Sequence, residues 1–353
     1  LRPSPSLAAL GVTPRVQSAF ALLEAPGLVL ARVVAERRGA WEVATGEAVV
    51  RGEATGRLRH EAGPGELPTV GDWVACAPVG DLAAIHAVLP RSSELRRGLA
   101  GGTTEAQLVA ANVDVVMVVT ALDRDFNVRR IERYLTQIAA SGAVPLLVLT
   151  KADTCDDVAR FRDAGRTVAG AGNVVVTSTV TGEGLRELRS MLAERTGALV
   201  GSSGVGKSSL TNALLGDAAL AVGATGQDGR GRHTTTERGL FVLPPVDGAS
   251  AVLIDTPGMR ELRLFGEASD LTPVFADVTA LAAACRFRDC AHQDEPGCRV
   301  REGLDEDRYR AYLKLKRELA VLEQRHDVRA RADAKRLQKQ RSRAARAGTK
   351  GKE

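Results

Sequence analysis

The order of four short motifs constrains this chain more than any other feature. Thr150-Lys151-Ala152-Asp153 comes first, then Ser178-Thr179, then the glycine-rich run Gly201 to Ser208, then Asp255-Thr256-Pro257-Gly258. Each matches a guanine-nucleotide motif, yet in a conventional domain of that class the glycine-rich loop comes first and the base-reading motifs last. The loop alone implies only that phosphates are bound; all four in cyclic permutation imply GTP binding and hydrolysis. As strands, the order is four, five, six, one, two, three of the usual fold. That permutation is possible because the original ends lie close together in such domains. The join runs through Gly182 to Gly197.

Gly201-Ser202-Ser203-Gly204-Val205-Gly206-Lys207-Ser208 fits G-x-x-x-x-G-K-S, follows an apolar strand ending at Val200 and opens the helical stretch Ser209–Leu215. Backbone N–H groups from Ser203 to Ser208 can surround phosphates there, and the helix N-terminus adds partial positive charge. Lys207 is expected to bridge β- and γ-phosphate oxygens and Ser208 to ligate Mg²⁺. Asp255, at another strand end, is expected to hold the magnesium shell while the Gly258 N–H reads the γ-phosphate.

A carboxylate at Asp153 can accept both the N1–H and the exocyclic N–H of guanine, which adenine cannot offer. The Lys151 stem is expected to pack on the base, and the backbone of Ser178 and Thr179 to contact the guanine oxygen. Thr150 stands where the motif usually has Asn. Threonine has no amide to donate towards the base and brace the loop, so modest affinity is expected.

Gly229-Arg230-Gly231-Arg232-His233-Thr234-Thr235-Thr236 reads as the first switch, whose hydroxyls offer a magnesium ligand, Thr235 being the choice among the three. Met259 stands where many GTPases place a water-orienting glutamine. His233 is the nearest chemical substitute, able to orient water or donate a hydrogen bond; the alternative is a histidine that only contacts a partner. The second switch, Asp255 to about Phe265, ends the nucleotide domain, so nucleotide-coupled repositioning of the C-terminal domain is expected.

Around these motifs the chain divides by pattern. Leu28–Ala35, Trp41–Thr45, Ala48–Ala54, Trp73–Ala77 and Ala83–Leu89 read as short strands broken by turns, which suits a small barrel of the OB type or a generic β-domain. From about 113 to 255, nearly continuous apolar strands alternate with helices bearing Ile131, Leu135 and Ile138, or Leu185, Leu188 and Leu192, on one face. That is a doubly wound α/β domain. A long amphipathic helix comes near the C-terminus, with Tyr312, Leu315, Leu319 and Leu322 spaced three and four apart.

The net charge of +5 is uneven, because Arg325 to Glu353 holds 11 Lys/Arg against Asp327, Asp333 and Glu353. A basic tail on a near-neutral body marks a polyanion partner or a solvated disordered terminus. No apolar run reaches the roughly 18 residues of a membrane helix and the start lacks a signal-peptide pattern, so a soluble, cytoplasmic chain without membrane contact is expected.

Three of five cysteines join a histidine in Cys285-x₄-Cys290-x-His292-x₅-Cys298. Four soft ligands so close suit a closed, structural Cys₃His zinc site with no open position for catalysis. Cys76 and Cys155 read as small buried or loop residues.

The barrel-like N-terminus, the rotated motifs, Gly201 to Leu210 as G-S-S-G-V-G-K-S-S-L, Gly231 to Thr236 as G-R-H-T-T-T, and the C-x₄-C-x-H-x₅-C pattern together resemble the ribosome small subunit-dependent GTPase A family, RsgA. The resemblance covers about residues 25 to 325. It implies a bacterial assembly factor with an OB-type β-barrel, a circularly permuted P-loop GTPase domain and a helical zinc-binding domain, which binds the immature small ribosomal subunit and its rRNA. It implies slow intrinsic GTP turnover stimulated by that subunit, a check on the decoding region, and release of other assembly factors. The expected layout is an extension over 1–24, the OB domain over 25–95, the GTPase domain over 96–265, the zinc domain over 266–325 and a basic tail over 326–353. The chain is expected to act as a monomer.

The motifs and the resemblance together assign GTP contacts to Thr150, Lys151, Asp153, Ser178, Thr179, Gly201, Ser202, Ser203, Gly204, Val205, Gly206, Lys207, Ser208, Ser209, Asp255 and Gly258. They assign magnesium to Ser208 and, by the motif reading alone, to Thr235, catalysis to His233 and Lys207, and zinc to Cys285, Cys290, His292 and Cys298. Gly204 stands where potassium-dependent relatives carry Asn, so potassium activation is not expected. The competing readings are a GTP-dependent RNA-binding switch with negligible hydrolysis, and a P-loop ATPase with a zinc-dependent nucleic-acid module; Asp153 opposes the second.

Overall fold

The computed structural model describes residues 2–37, 40–63, 65–98, 106–216, 220–221, 239–255 and 268–324. They fall into two compact units, one of Leu1–Arg97 with Gln107–Arg263, the other of Gly98–Ala106 with Leu264–Glu353.

The first unit opens with β1 (Arg2–Pro3) and α1 (Pro14–Ala21), whose N-cap Thr13 accepts a hydrogen bond from the Val16 N–H. Then come β2 (Val29–Arg37), β3 (Ala40–Ala44), β4 (Ala48–Ala54), α2 (Gly56–Glu61), β5 (Trp73–Val79) and β6 (Leu82–Val88). β2 pairs with β3, β3 with β4, β4 in parallel with β6, β6 with β5, and β5 back with β2, so the five strands close on themselves. One parallel pair, and a helix between the third and fourth strands, give the OB topology. Period-two alternation turns Ala31, Val33, Trp41, Val43, Val74, Cys76 and Ile85 into a shared core. Trp41 and Trp73 are both buried, so neither offers a ring for base stacking on the barrel surface.

β2 is buried on its outer face as well, where Arg32 points away from the barrel core. Its guanidinium donates to the carbonyls of Leu10, Gly71 and Asn112 and to the Thr196 hydroxyl, and lies 5.1 Å from the centre of the Trp73 ring. Burial pulls Arg32 down to about 10, with Asp114 and Asp72 opposing the shift, so it stays charged at neutral pH. Four segments far apart in sequence thus meet on one cation, and a single pair, Gly239 with Ala35, joins the barrel to the next sheet.

β7 (Glu94–Gly98) and β8 (Ala106–Ala111) form a two-stranded sheet leading from the barrel. The α/β part is built from β9 (Val115–Ala121), α3 (Val128–Ser141), β10 (Val144–Thr150), α4 (Val158–Ala169), β11 (Val174–Val176), α5 (Leu185–Met191), β12 (Thr196–Val200), α6 (Lys207–Leu215), β13 (Leu220–Ala221), β14 (Gly239–Val246) and β15 (Ala249–Asp255). The sheet order is β14-β15-β12-β9-β10-β11, with β13 on β14. All pairs from β15 to β11 are parallel, and β14 is antiparallel to β15. β12, which feeds the glycine-rich loop, lies mid-sheet although it is fourth in chain order, which is the rotation the motifs imply. Ile131, Leu135, Ile138, Leu188 and Leu192 are buried, and Leu185 is packed at the core margin.

The second unit has a 3₁₀ turn at Ala268–Leu271, α7 (Ala276–Ala282), α8 (Arg299–Gly303) and α9 over 306–324. Phe275, Val278, Val300, Leu315 and Leu319 fill its core. Arg308 grips the Asp277 carboxylate with two bonds, at 2.9 and 3.0 Å, and stacks on Phe275. No helix among the described residues is long and apolar enough to cross a membrane.

Candidate nucleotide site and metal cluster

Parallel strands all point the same way, so the segments after β9, β10, β11, β12 and β15 gather at one edge of the sheet, where open α/β folds bind ligands. The chain places there Asp123, the Thr150–Asp153 loop, Ser178, the Gly201–Gly206 loop and Asp255. The sequence motifs, up to 105 residues apart from Thr150 to Asp255, therefore converge through topology.

Gly201 leaves β12 at φ +143°, and a Cβ there would lie 2.3 Å from the Val119 carbonyl oxygen, so only glycine lets the loop turn this close to β9. Val205 turns inward and is 1% exposed, whereas Ser203, Gly204, Ser208 and Ser209 face solvent. Ser202 and Gly206 are half-buried. Lys207 opens α6 and folds back over the loop, its Nζ donating to the Gly201 carbonyl at 2.7 Å and to the Ser202 carbonyl.

Thr150 is buried, and its hydroxyl donates to the Val205 carbonyl at 2.6 Å. The bracing that an asparagine amide would supply is carried by this hydroxyl, which ties the base-reading loop to the phosphate loop. Lys151 comes next in left-handed backbone, φ +62°, a conformation costing an L-residue about 1 kcal/mol. Its ammonium bonds Asp123 at 2.9 Å, and that bond, helped by the Asp125 N–H, holds the Asp123 carboxyl below the ordinary range.

Asp153 is exposed, and one of its oxygens accepts the Ser178 hydroxyl proton at 2.5 Å. Ser178 itself is buried, and its oxygen accepts the N–H groups of Val180 and Thr181, each at 3.2 Å. The side chain of Ser178 thus aims the carboxylate. Behind it, Gly184 at φ +68° passes so near Val176 that a Cβ would sit 1.9 Å from its carbonyl oxygen. Thr179 is exposed beside this turn. Asp255 ends β15 half-buried, opposite Gly239. His233, Thr235 and Gly258 lie outside the described residues, as does the basic tail.

Two contributions escape motif reading. Asp123 belongs to no motif; its signal is its place at a strand end, two residues before a second aspartate. Ser178 was expected to act through its backbone, yet its side chain also orients Asp153.

In the second unit, Cys285, Cys290, His292 and Cys298 bring their ligand atoms within 4.8 Å of one another. His292 Nδ1 lies 3.7 Å from both Cys285 Sγ and Cys298 Sγ. Zinc–sulfur and zinc–nitrogen bonds at the tetrahedral angle give an edge of about 3.5 Å, so the cluster fits a zinc ion. Cys298 precedes α8, and His292 sits in left-handed backbone with φ +61°, its carbonyl accepting the Tyr309 hydroxyl from α9. Glu295 fastens the loop by accepting the Ala291 and Gln293 N–H groups, each at 2.8 Å.

Against known proteins, residues 88–265 match the model of the RsgA GTPase family. The chain belongs to the RsgA family of GTPases. It is 42% identical over 354 residues to the Small ribosomal subunit biogenesis GTPase RsgA of Opitutus terrae, covering 95% of each chain. It is 46% identical over 299 residues to the protein of the same name from Xylella fastidiosa strain M23, covering 82% of this chain and 87% of that one. Among solved structures it resembles YjeQ from Thermotoga maritima, with a TM-score of 0.62 and 27% identity over 83% of this chain and 99% of that one. YloQ, described as a circularly permuted GTPase, shares the fold at a TM-score of 0.57 and 22% identity, over 83% of this chain and 95% of that one. This RsgA-family chain is a GTP hydrolase built as an OB-type barrel, a permuted P-loop domain and a helical lobe with a metal-competent cluster.

Proposed function

We propose that this chain is a GTP hydrolase of small-ribosomal-subunit biogenesis that binds the subunit through its rRNA and turns over faster when bound. The observation supporting it is the tie between loops: Thr150 bonds Val205 while Ser178 aims Asp153, so base recognition and phosphate binding are built into one rigid edge. Partner and process come from the names of its relatives.

In the proposed reaction, Asp153 pairs with the N1–H and exocyclic amine of guanine, the Lys151 stem packs on the base, and Ser178 and Thr179 border the guanine oxygen. Gly201 to Ser209 surround the phosphates, and Lys207 leaves its loop carbonyls for β- and γ-phosphate oxygens. Water attacks the γ-phosphorus in line, the bond to the β-γ bridging oxygen breaks, and GDP and phosphate leave. Ser208, Thr235 and Asp255 would hold Mg²⁺, which when bound neutralises charge on the phosphate oxygens. The Gly258 N–H reads the γ-phosphate, and His233 orients the water in place of the glutamine that Met259 replaces.

Cys285, Cys290, His292 and Cys298 would hold one structural zinc ion. The proposed layout is an extension over 1–24, barrel over 25–95, GTPase domain over 96–265, zinc domain over 266–325 and a basic rRNA-binding tail over 326–353, in a monomeric cytoplasmic protein. Met259 supports a second reading, a GTP-dependent RNA-binding switch that barely hydrolyses. Sedimentation with purified small subunits tests the proposal: retention with a non-hydrolysable GTP analogue and release with GDP are expected, and no retention in either state would remove it.

A further inference from the structure

Arg286, Phe287, Arg288 and Asp289 make the turn between the first two thiols of the metal cluster. Aromatic residues are only 3% of the chain. Among the described residues Phe287 alone of them is exposed, at 40%, while both tryptophans, Tyr134 and Phe275 are buried. One exposed ring is ordinary by itself; what distinguishes Phe287 is the pair of arginines on either side of it.

The Arg286 guanidinium lies 5.5 Å from the centre of the Phe287 ring. Both Arg286 and Arg288 are exposed, and neither makes an ion pair among the described residues. Of the nearby acids, Asp289 follows Arg288 in the same turn and is exposed without an ion pair to either arginine, Asp294 is engaged by Arg301, and Glu295 is taken up by backbone N–H groups. Two backbone hydrogen bonds also shape the turn: the Cys290 N–H donates to the Phe287 carbonyl at 3.4 Å, and the Arg286 N–H to the Gly297 carbonyl at 3.3 Å. A pre-set turn loses little freedom on binding.

We propose that the Arg286-Phe287-Arg288 turn is a stacking platform for an unpaired RNA base, with the two guanidiniums on the flanking phosphates. It rests on the reading of this chain as a factor that contacts ribosomal RNA. An aromatic ring between two exposed arginines without ion pairs matches the alternating flat bases and phosphates of single-stranded RNA. A duplex keeps its bases stacked inside and offers the ring nothing, and an apolar protein surface would leave the cations without counter-charge.

The test uses the full zinc-loaded chain and three probes: a labelled 12-nucleotide single-stranded RNA of mixed sequence, the same RNA as a perfect duplex, and purified small subunits. Phe287→Ala should weaken single-strand binding by roughly 5- to 100-fold, leave the duplex unaffected, and keep its zinc. Phe287→Trp should retain binding and Phe287→Leu should not. Arg286→Gln and Arg288→Gln should each lower the salt slope by about 0.7. Undetectable single-strand binding by the wild type, unchanged binding by a zinc-loaded Phe287→Ala, or full rescue by Phe287→Leu would each overturn the platform. The two readings fail separately: a wild type that ignores small subunits but shows the expected RNA pattern sinks the functional reading and keeps the platform.

Discussion

The Thr150 hydroxyl donates to the Val205 carbonyl at 2.6 Å, joining the loop that reads the base to the loop that holds the phosphates. Thr150→Val keeps the shape and removes the donor, leaving a buried carbonyl unsatisfied, which costs about 1–3 kcal/mol. GDP affinity measured by titration calorimetry should fall roughly 5- to 50-fold, and Thr150→Asn, whose amide can also donate, should recover most of it. Unchanged affinity in Thr150→Val would mean the tie is incidental.

Asp153 presents two acceptors, one of them held by Ser178. Asparagine keeps one acceptor for the N1–H and presents a donor in place of the other, which clashes with the exocyclic amine of guanine but suits xanthine, whose position 2 is a carbonyl. Asp153→Asn should therefore reverse the preference between GTP and xanthosine triphosphate by about 100-fold or more. Competition binding with both nucleotides and ATP is the check, and retained GTP preference would remove Asp153 from the base site.

Legibility from sequence tracked the range of the forces involved. The barrel strands and the main strands of the sheet were readable because their apolar patterns stand out between turns, and the P-loop because its backbone demands glycine at set positions; the two-residue β13 and the β7–β8 pair carry no such pattern and were not read. The Thr150–Val205 and Asp153–Ser178 bonds were not, because they join residues 55 and 25 positions apart through a sheet edge that no local pattern encodes. Arg32 was hidden for a similar reason. A charged residue in an alternating strand reads as solvent-facing, and only the assembled fold shows four distant groups waiting for its donors. The residues before the barrel carry little pattern either, yet Arg2 and Pro3 pair with Val49 and Ala48, and Leu10 is fully buried.

Arg32→Met should destabilise the first unit by roughly 3 kcal/mol or more, since the carbonyls of Leu10, Gly71 and Asn112 lose a buried donor together. Urea unfolding monitored by tryptophan fluorescence suits the test. The chain has two tryptophans, Trp41 and Trp73, and Arg32 lies over the second. An unchanged midpoint would show that the buried cation contributes nothing net.

Zinc removal should act on the second unit by itself. With binding worth about 10 kcal/mol, chelation or Cys298→Ser should cost helical signal from 268–324 and release about one zinc per chain. GDP binding should persist, because no proposed nucleotide contact lies in that segment. Full helicity without metal would show that the four ligands are not what holds the lobe together.

The most direct test of the central claim is GTP turnover by the purified chain with and without small ribosomal subunits, with large subunits as the control. The account predicts stimulation of at least ~10-fold by the small subunit alone, from a basal rate on the order of 10⁻⁴ to 10⁻² s⁻¹. Intact GTP binding with no stimulation would contradict it and leave a switch that holds nucleotide without being driven to hydrolyse it.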